Sequence, residues 1–151
     1  MKNLTLTIEP KTGYGEIKFG DHSQKVLDFL GEAEEIENFE DDDEFSTIIL
    51  YYWERGITVF FEGNEESVVS CFETEDPDST LFGHRVFEMN EAEIIKLMSD
   101  QGYEVVEAVL EENERRVSYD DALADFMFQD NELVAVNWGV LVNEEGEIEE
   151  M

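Results

Sequence analysis

Thr47-Ile48-Ile49-Leu50-Tyr51-Tyr52-Trp53, Ile57-Thr58-Val59-Phe60-Phe61 and Ser67-Val68-Val69-Ser70-Cys71-Phe72 are three runs of β-branched and aromatic residues. They are separated by Glu54-Arg55-Gly56 and by Glu62-Gly63-Asn64-Glu65-Glu66. Such residues suit a pleated, half-buried surface, and connectors this short and glycine-bearing make hairpins. The stretch predicts an antiparallel meander.

Working toward the N-terminus, Glu32 to Glu44 is nearly all acidic and reads as a loop or a ragged edge strand. Before it, Val26, Leu27 and Leu30 fall at helical spacing and Gly31 stands where a C-cap belongs, which predicts a helix over residues 22–30. Leu4, Leu6 and Ile8 alternate with polar residues as a first strand, ended by Pro10 and the turn Gly13-Tyr14-Gly15. Ile17-Lys18-Phe19 is a further extended run.

Toward the C-terminus, residues 74–80 are polar, contain Pro77 and read as a linker. The order then recurs. Leu81-Phe82-Gly83 and Val86-Phe87 are extended, and Asn90 with Glu93 forms a capping-box pattern ahead of Ile94, Ile95 and Met98. Tyr103 to Leu110, Arg115 to Tyr119, Ala122 to Phe128 and Glu132 to Trp138 supply strands. Val26, Leu27, Phe29 and Leu30 overlay Ile94, Ile95, Leu97 and Met98, at nearly the offset that lays Ile57, Val59 and Phe61 over Ala124, Phe126 and Phe128. A near-constant offset is what an internal repeat produces. The expected fold class is therefore α+β, a tandem duplication of a helix followed by an antiparallel β-meander, with the helices packed on one face of the sheet. The expected halves are residues 1–73 and 81–142, joined in one globular body by 74–80, and 143–151 is an acidic tail or a last hairpin.

Gly20-Asp21-His22-Ser23-Gln24-Lys25-Val26-Leu27-Asp28-Phe29-Leu30-Gly31 resembles the helix of the β-lactamase-inhibitory-protein-like fold and of the related small outer-membrane assembly lipoproteins. Shared features are a glycine, a capping polar residue, a valine-type anchor and a terminal Leu-Gly. Ala33 stands where a proline often follows that pair, and the second copy has Ser99 in place of Gly31. The inhibitor's disulfides and the lipoproteins' signal and lipidated cysteine have no counterpart here. The resemblance implies a helix preceding an antiparallel sheet, used as a scaffold for binding protein.

Composition narrows the function classes. The chain has 151 residues, 42% hydrophobic and 12% aromatic, enough to build a core. Forty acidic residues against nine basic ones give a net charge of −31, so most carboxylates face water, counter-ions or a partner. That surface repels phosphate backbones and anionic lipid and speeds encounter with basic proteins, so no direct nucleic-acid or membrane contact is expected. No run of about 18 apolar residues offers a membrane span. Met1 to Glu9 lacks the unbroken apolar segment of a secretion signal. Cys71 stands alone, which excludes an internal disulfide and predicts a reducing, cytoplasmic compartment.

Candidate chemistry is sparse in the sequence. Asp41-Asp42-Asp43-Glu44 is the densest carboxylate run but lacks the alternating acids, central glycine and distal glutamate of a calcium loop. His22 and His84 have no Cys or second His at ligand spacing, and no glycine pattern fits a phosphate-binding loop. No metal, cofactor or catalytic residue is expected. The informative feature is that several strands are apolar on both sides. Ile48, Leu50 and Tyr52 lie on one side of a strand and Ile49, Tyr51 and Trp53 on the other. Phe60 and Phe72 lie opposite in phase to Val59/Phe61 and Val69/Cys71. A face made of Ile49, Tyr51, Trp53, Phe60 and Phe72, rimmed by Asp41, Asp42, Asp43 and Glu44, is the expected binding surface. The leading expectation is a non-enzymatic protein-binding module of inhibitor or immunity type that recognises a basic partner. A homodimer through the aromatic face is a further arrangement it allows. The alternatives are a nucleic-acid mimic that occupies a DNA-binding protein, and an enzyme acting on a small ligand in a deep cleft.

Overall fold

The computed structural model describes residues 4–40, 46–63, 67–105, 107–111, 113–120, 122–142 and 148. Three short strands come first, β1 (Thr7–Glu9), β2 (Gly13–Tyr14) and β3 (Ile17–Lys18). Helix α1 (Ser23–Leu30) follows, and then β4 (Glu35–Glu40), β5 (Ser46–Tyr52), β6 (Ile57–Gly63) and β7 (Val68–Thr74). β8 (Thr80–Leu81), β9 (His84–Arg85), the 3-10 turn Val86–Glu88 and helix α2 (Glu91–Asp100) lead into β10 (Glu107–Glu111), β11 (Glu114–Tyr119), β12 (Ala124–Gln129) and β13 (Glu132–Gly139).

Both helices form where their caps place them. Gly31 ends α1 at φ 75°, in the left-handed region that glycine enters without a Cβ clash, and its amide donates to the Leu27 carbonyl. At α2 the Asn90 side chain accepts from the Glu93 amide at 2.9 Å, and Glu93 Oε1 accepts from the Asn90 amide at 3.0 Å. The capping box is complete.

The strands form two sheets. The larger has eight strands in the order β10-β11-β12-β13-β7-β6-β5-β4 and is antiparallel throughout. The smaller has the order β3-β2-β1-β8-β9, and its β1–β8 pair is parallel. One core joins them, drawing Ile8, Tyr14, Val26, Leu30, Val59, Phe72, Ile94, Phe126 and Trp138 into a single cluster. The small sheet and the buried sides of α1 and α2 therefore share one face of the large sheet.

Specific polar contacts tie these layers together. Trp138 is fully buried, and its Nε1 donates to the Gly13 carbonyl of β2 at 3.0 Å. The Tyr14 hydroxyl shares hydrogen bonds with Ser79 Oγ at 2.6 Å and Thr74 Oγ1 at 3.2 Å. The Tyr52 hydroxyl donates to the Gly31 carbonyl at 2.9 Å and holds the end of α1 against β5. Buried polar groups left without partners cost about 1–3 kcal/mol each, so these contacts fix how the layers meet.

The expected fold class is corrected by this architecture. The chain is mainly β, with thirteen strands in two sheets and two α-helices among the described residues, not a tandem duplication of a helix plus an antiparallel meander. The physical reason lies in the segments that read as isolated extended runs. Thr7–Glu9 from the N-terminal part and Thr80–Leu81 from the C-terminal part pair with each other and build a second, mixed sheet. Residues 74–80, read as a linker, carry buried Thr74 and Ser79. No helix among the described residues is long and apolar enough to cross a membrane.

Candidate protein-binding face

The side of the large sheet opposite the core is built from the alternate residues of its strands. Antiparallel register brings Ile49, Phe60 and Cys71 abreast in one row, and Tyr51, Thr58, Glu73, Asn137, Asp125 and Ser118 abreast in the next. Directly opposed residues share a face, so these rows run continuously across the sheet. Ile49, Tyr51 and Phe60 are half-buried, yet none belongs to the core cluster or packs against it. The Tyr51 and Trp53 rings stack at 4.5 Å between centroids, and Trp53 remains 57% exposed.

Carboxylates surround this apolar strip. Glu35 pairs with Tyr51 and Glu37 with Ile49 across β4–β5, and Phe39 pairs with Thr47. Glu62 accepts from Ser70 Oγ at 2.9 Å, and Glu73 and Asp125 lie in the same row as Tyr51. The electrostatics register the crowding. The Tyr51 phenol is pushed above its ordinary range by desolvation first, then by Glu37, Glu35 and Glu73. The Glu73 carboxyl is raised by burial first and then by Glu75 and Glu114. Burial, then Glu62, Glu73 and Asp125, push the Cys71 thiol up to about 12. Its Sγ lies 3.3 Å from Asn137 Oδ1, and a thiol so protonated is a poor nucleophile.

Register and the Tyr51–Trp53 stack place Ile49, Tyr51, Trp53 and Phe60 on this side of the sheet. Phe72 is not among them. It is fully buried on the core side, paired with Val59 and packed between Tyr14, Phe19 and Trp138 at centroid distances of 5.6, 5.4 and 5.4 Å. The reason is a bulge. Phe60 pairs with Cys71 while Phe61 pairs with Val69, so Ser70 is an extra residue that reverses the alternation of β7. Val140 donates its amide to the Ser70 carbonyl at 2.8 Å. Gly139 makes this possible, because a Cβ there would stand 2.6 Å from that carbonyl oxygen. Asp41, Asp42, Asp43 and Glu44, the expected rim, lie outside the described residues. The rim that the structure describes is Glu35, Glu37, Glu62, Glu73 and Asp125, which sequence reasoning missed. Strand register would have found Glu35 and Glu37 had Glu35–Glu40 been read as paired.

Two other features bear on chemistry. His22 occupies the N-cap position of α1 without a side-chain cap, and His84 is exposed on β9. Among the described residues no group of three His, Cys, Asp or Glu side chains is placed to hold a metal ion. An open cleft of about 600 Å³ is lined by Glu91, Leu110, Asn113, Arg115, Phe128, Asp130 and Asn131. Arg115 Nε is ion-paired with Glu91 Oε1, so the cleft's cation is already neutralised. Nearby, burial followed by Glu91 pushes the Tyr119 phenol up to about 12, so it carries no charge at neutral pH.

No protein-family model matches the chain, and no curated protein matches its sequence. Among solved structures, the chain is similar to a DUF4309 family protein (YjgB) from Bacillus subtilis subsp. subtilis str. 168, at 17% identity and a TM-score of 0.40. The match covers 77% of this chain and 76% of that one.

Proposed function

We propose that this protein is a non-enzymatic binding module that grips a basic protein partner with the open side of its eight-stranded sheet. One observation carries the reading: the stacked Tyr51–Trp53 pair, with Ile49 and Phe60, stands outside the core and is ringed by Glu35, Glu37, Glu62, Glu73 and Asp125. Aromatic side chains that lose water on contact supply most of the binding energy of an interface, while charges at the rim govern encounter rate and choice of partner. A net charge of −31 gives that choice one sign.

The test uses the intact protein as bait in extract of its native host, followed by titration of the purified partner across salt concentrations. The expected partner is basic, binds more slowly as salt rises, and loses about tenfold or more in affinity to Trp53→Ala and to Phe60→Lys. A partner indifferent to salt and to both variants, or no partner, refutes the proposal.

A further inference from the structure

β4 is the outermost strand of the large sheet, and among the described strands it pairs only with β5. An unpaired edge is a template for another strand, and proteins ordinarily blunt it with charge of either sign, proline or a bulge. This edge is blunted selectively. Ile36 is 63% exposed and Phe39 54% exposed, both large for apolar residues in a strand. Their register with Leu50 and Thr47 places them on opposite sides of the sheet, so a strand laid alongside would meet an apolar side chain on each of its faces. Glu35 and Glu37 stand on the open side beside Tyr51 and Ile49. The edge continues into the aromatic strip, since the Glu34 amide donates to the Tyr51 carbonyl at 2.9 Å and Glu34 Oε1 accepts from the Glu54 amide at 3.1 Å.

We infer that the outer edge of β4 accepts an extended basic segment of the partner as a ninth strand, in which Lys or Arg alternates with apolar residues. Main-chain hydrogen bonds supply the attachment, and the alternation supplies specificity. Basic residues of the added strand fall on the side of Glu35 and Glu37. A second copy of this chain is the disfavoured occupant, because pairing β4 with itself sets Glu35 and Glu37 against the same carboxylates. The inference rests on the reading of the open face for the sign of the partner's charge, and it adds where and in what conformation that partner first attaches.

The probe is a short peptide alternating lysine and valine, compared with the same peptide N-methylated at every backbone amide. N-methylation leaves the charge intact and removes the donors that a strand needs. Amide hydrogen exchange of the full-length protein is followed with each peptide, alongside affinity by calorimetry and mass by light scattering. The expected result is slowed exchange at alternate amides of residues 35–40 and about a tenfold or greater loss of affinity on N-methylation. Equal affinity for the two peptides, protection confined to β10 or to the open face, or no binding of either peptide overturns the inference. So does a dimer mass that Ile36→Lys abolishes. Failure here is separable from failure of the open-face reading, which Phe60→Lys tests with the captured partner and which these peptides leave untouched.

Discussion

Phe60 and Phe72 carry the sharpest test of how this sheet is built. They look equivalent in sequence, yet the Ser70 bulge assigns them to opposite faces. Phe72 is fully buried among three aromatic rings, so Phe72→Ala removes a complete core side chain and leaves a cavity, at a cost of about 3–5 kcal/mol. Phe60 is half-buried on the open side, and losing roughly half of a full burial of about 3 kcal/mol costs about 1–1.5 kcal/mol. With a urea dependence near 2 kcal/mol per molar, the midpoint falls by about 2 M for Phe72→Ala and by well under about 1 M for Phe60→Ala. Urea melts followed by far-ultraviolet circular dichroism read both. A total stability in the ordinary range of about 5–15 kcal/mol leaves the weaker variant measurable, and Phe72→Leu supplies a milder step if it does not fold. Equal midpoint shifts, or a larger one for Phe60→Ala, would show that β7 keeps its alternation through Ser70 and would refute the assignment of faces.

The two tryptophans should part company. Trp138→Phe removes the buried Trp138–Gly13 hydrogen bond and opens a small cavity, for a loss of about 2–4 kcal/mol, whereas Trp53→Phe stays within about 0.5 kcal/mol in the same melts. Cys71, raised from 9.0 to about 12, holds about a thousandfold less thiolate than an ordinary cysteine, so iodoacetamide at pH 8 should label it at that fraction of the rate seen after urea unfolding. Comparable rates in both states would contradict its shielding. The folded-state pKa of Glu73 lies above its ordinary 4.5, so its charge opposes folding above that range and the penalty fades as pH falls through the folded value. Glu73→Gln should therefore raise the urea midpoint at pH 7 and make little difference below pH about 4. A lower midpoint at pH 7 would overturn the sign.

What the sequence disclosed tracks the strength of local signals. Gly31, and Asn90 with Glu93, marked helix ends because capping is satisfied within one turn, and the β-branched runs at residues 47–72 marked paired strands. The second sheet was illegible because its strands are two or three residues long, too short for any alternation to register. Their pairing depends on contacts between distant segments, such as Thr7 with Thr80. The face of Phe72 was misread because alternation was carried through Ser70. A signal was present there: Val69 and Phe72 are three apart with small Ser70 and Cys71 between them, the pattern expected when a bulge returns two large residues to one side. On the candidate surface, Ile49, Tyr51, Trp53 and Phe60 were legible from two-sided hydrophobicity. The rim was not, because which carboxylates face them is set by cross-strand register.

Charge and the aromatic strip answer one physical problem. A sheet with apolar side chains on both faces but a core on only one exposes the other, and such a surface ordinarily drives self-association. Here charged residues beside it are acidic, and the chain carries 40 acidic residues against 9 basic ones, so two copies meeting through this face bring Glu35, Glu37, Glu62, Glu73 and Asp125 against their own kind. Opposed like charges destabilise such a contact, most strongly at low salt. Against a surface of opposite sign the same charges attract, which offsets their desolvation and favours encounter. On the proposed reading, solubility and selectivity therefore share one cause, and neutralising the rim should undo both together. Glu35→Gln with Glu37→Gln should promote self-association while weakening capture of a basic partner, a pairing of effects that a merely solubilising role for these carboxylates would not produce.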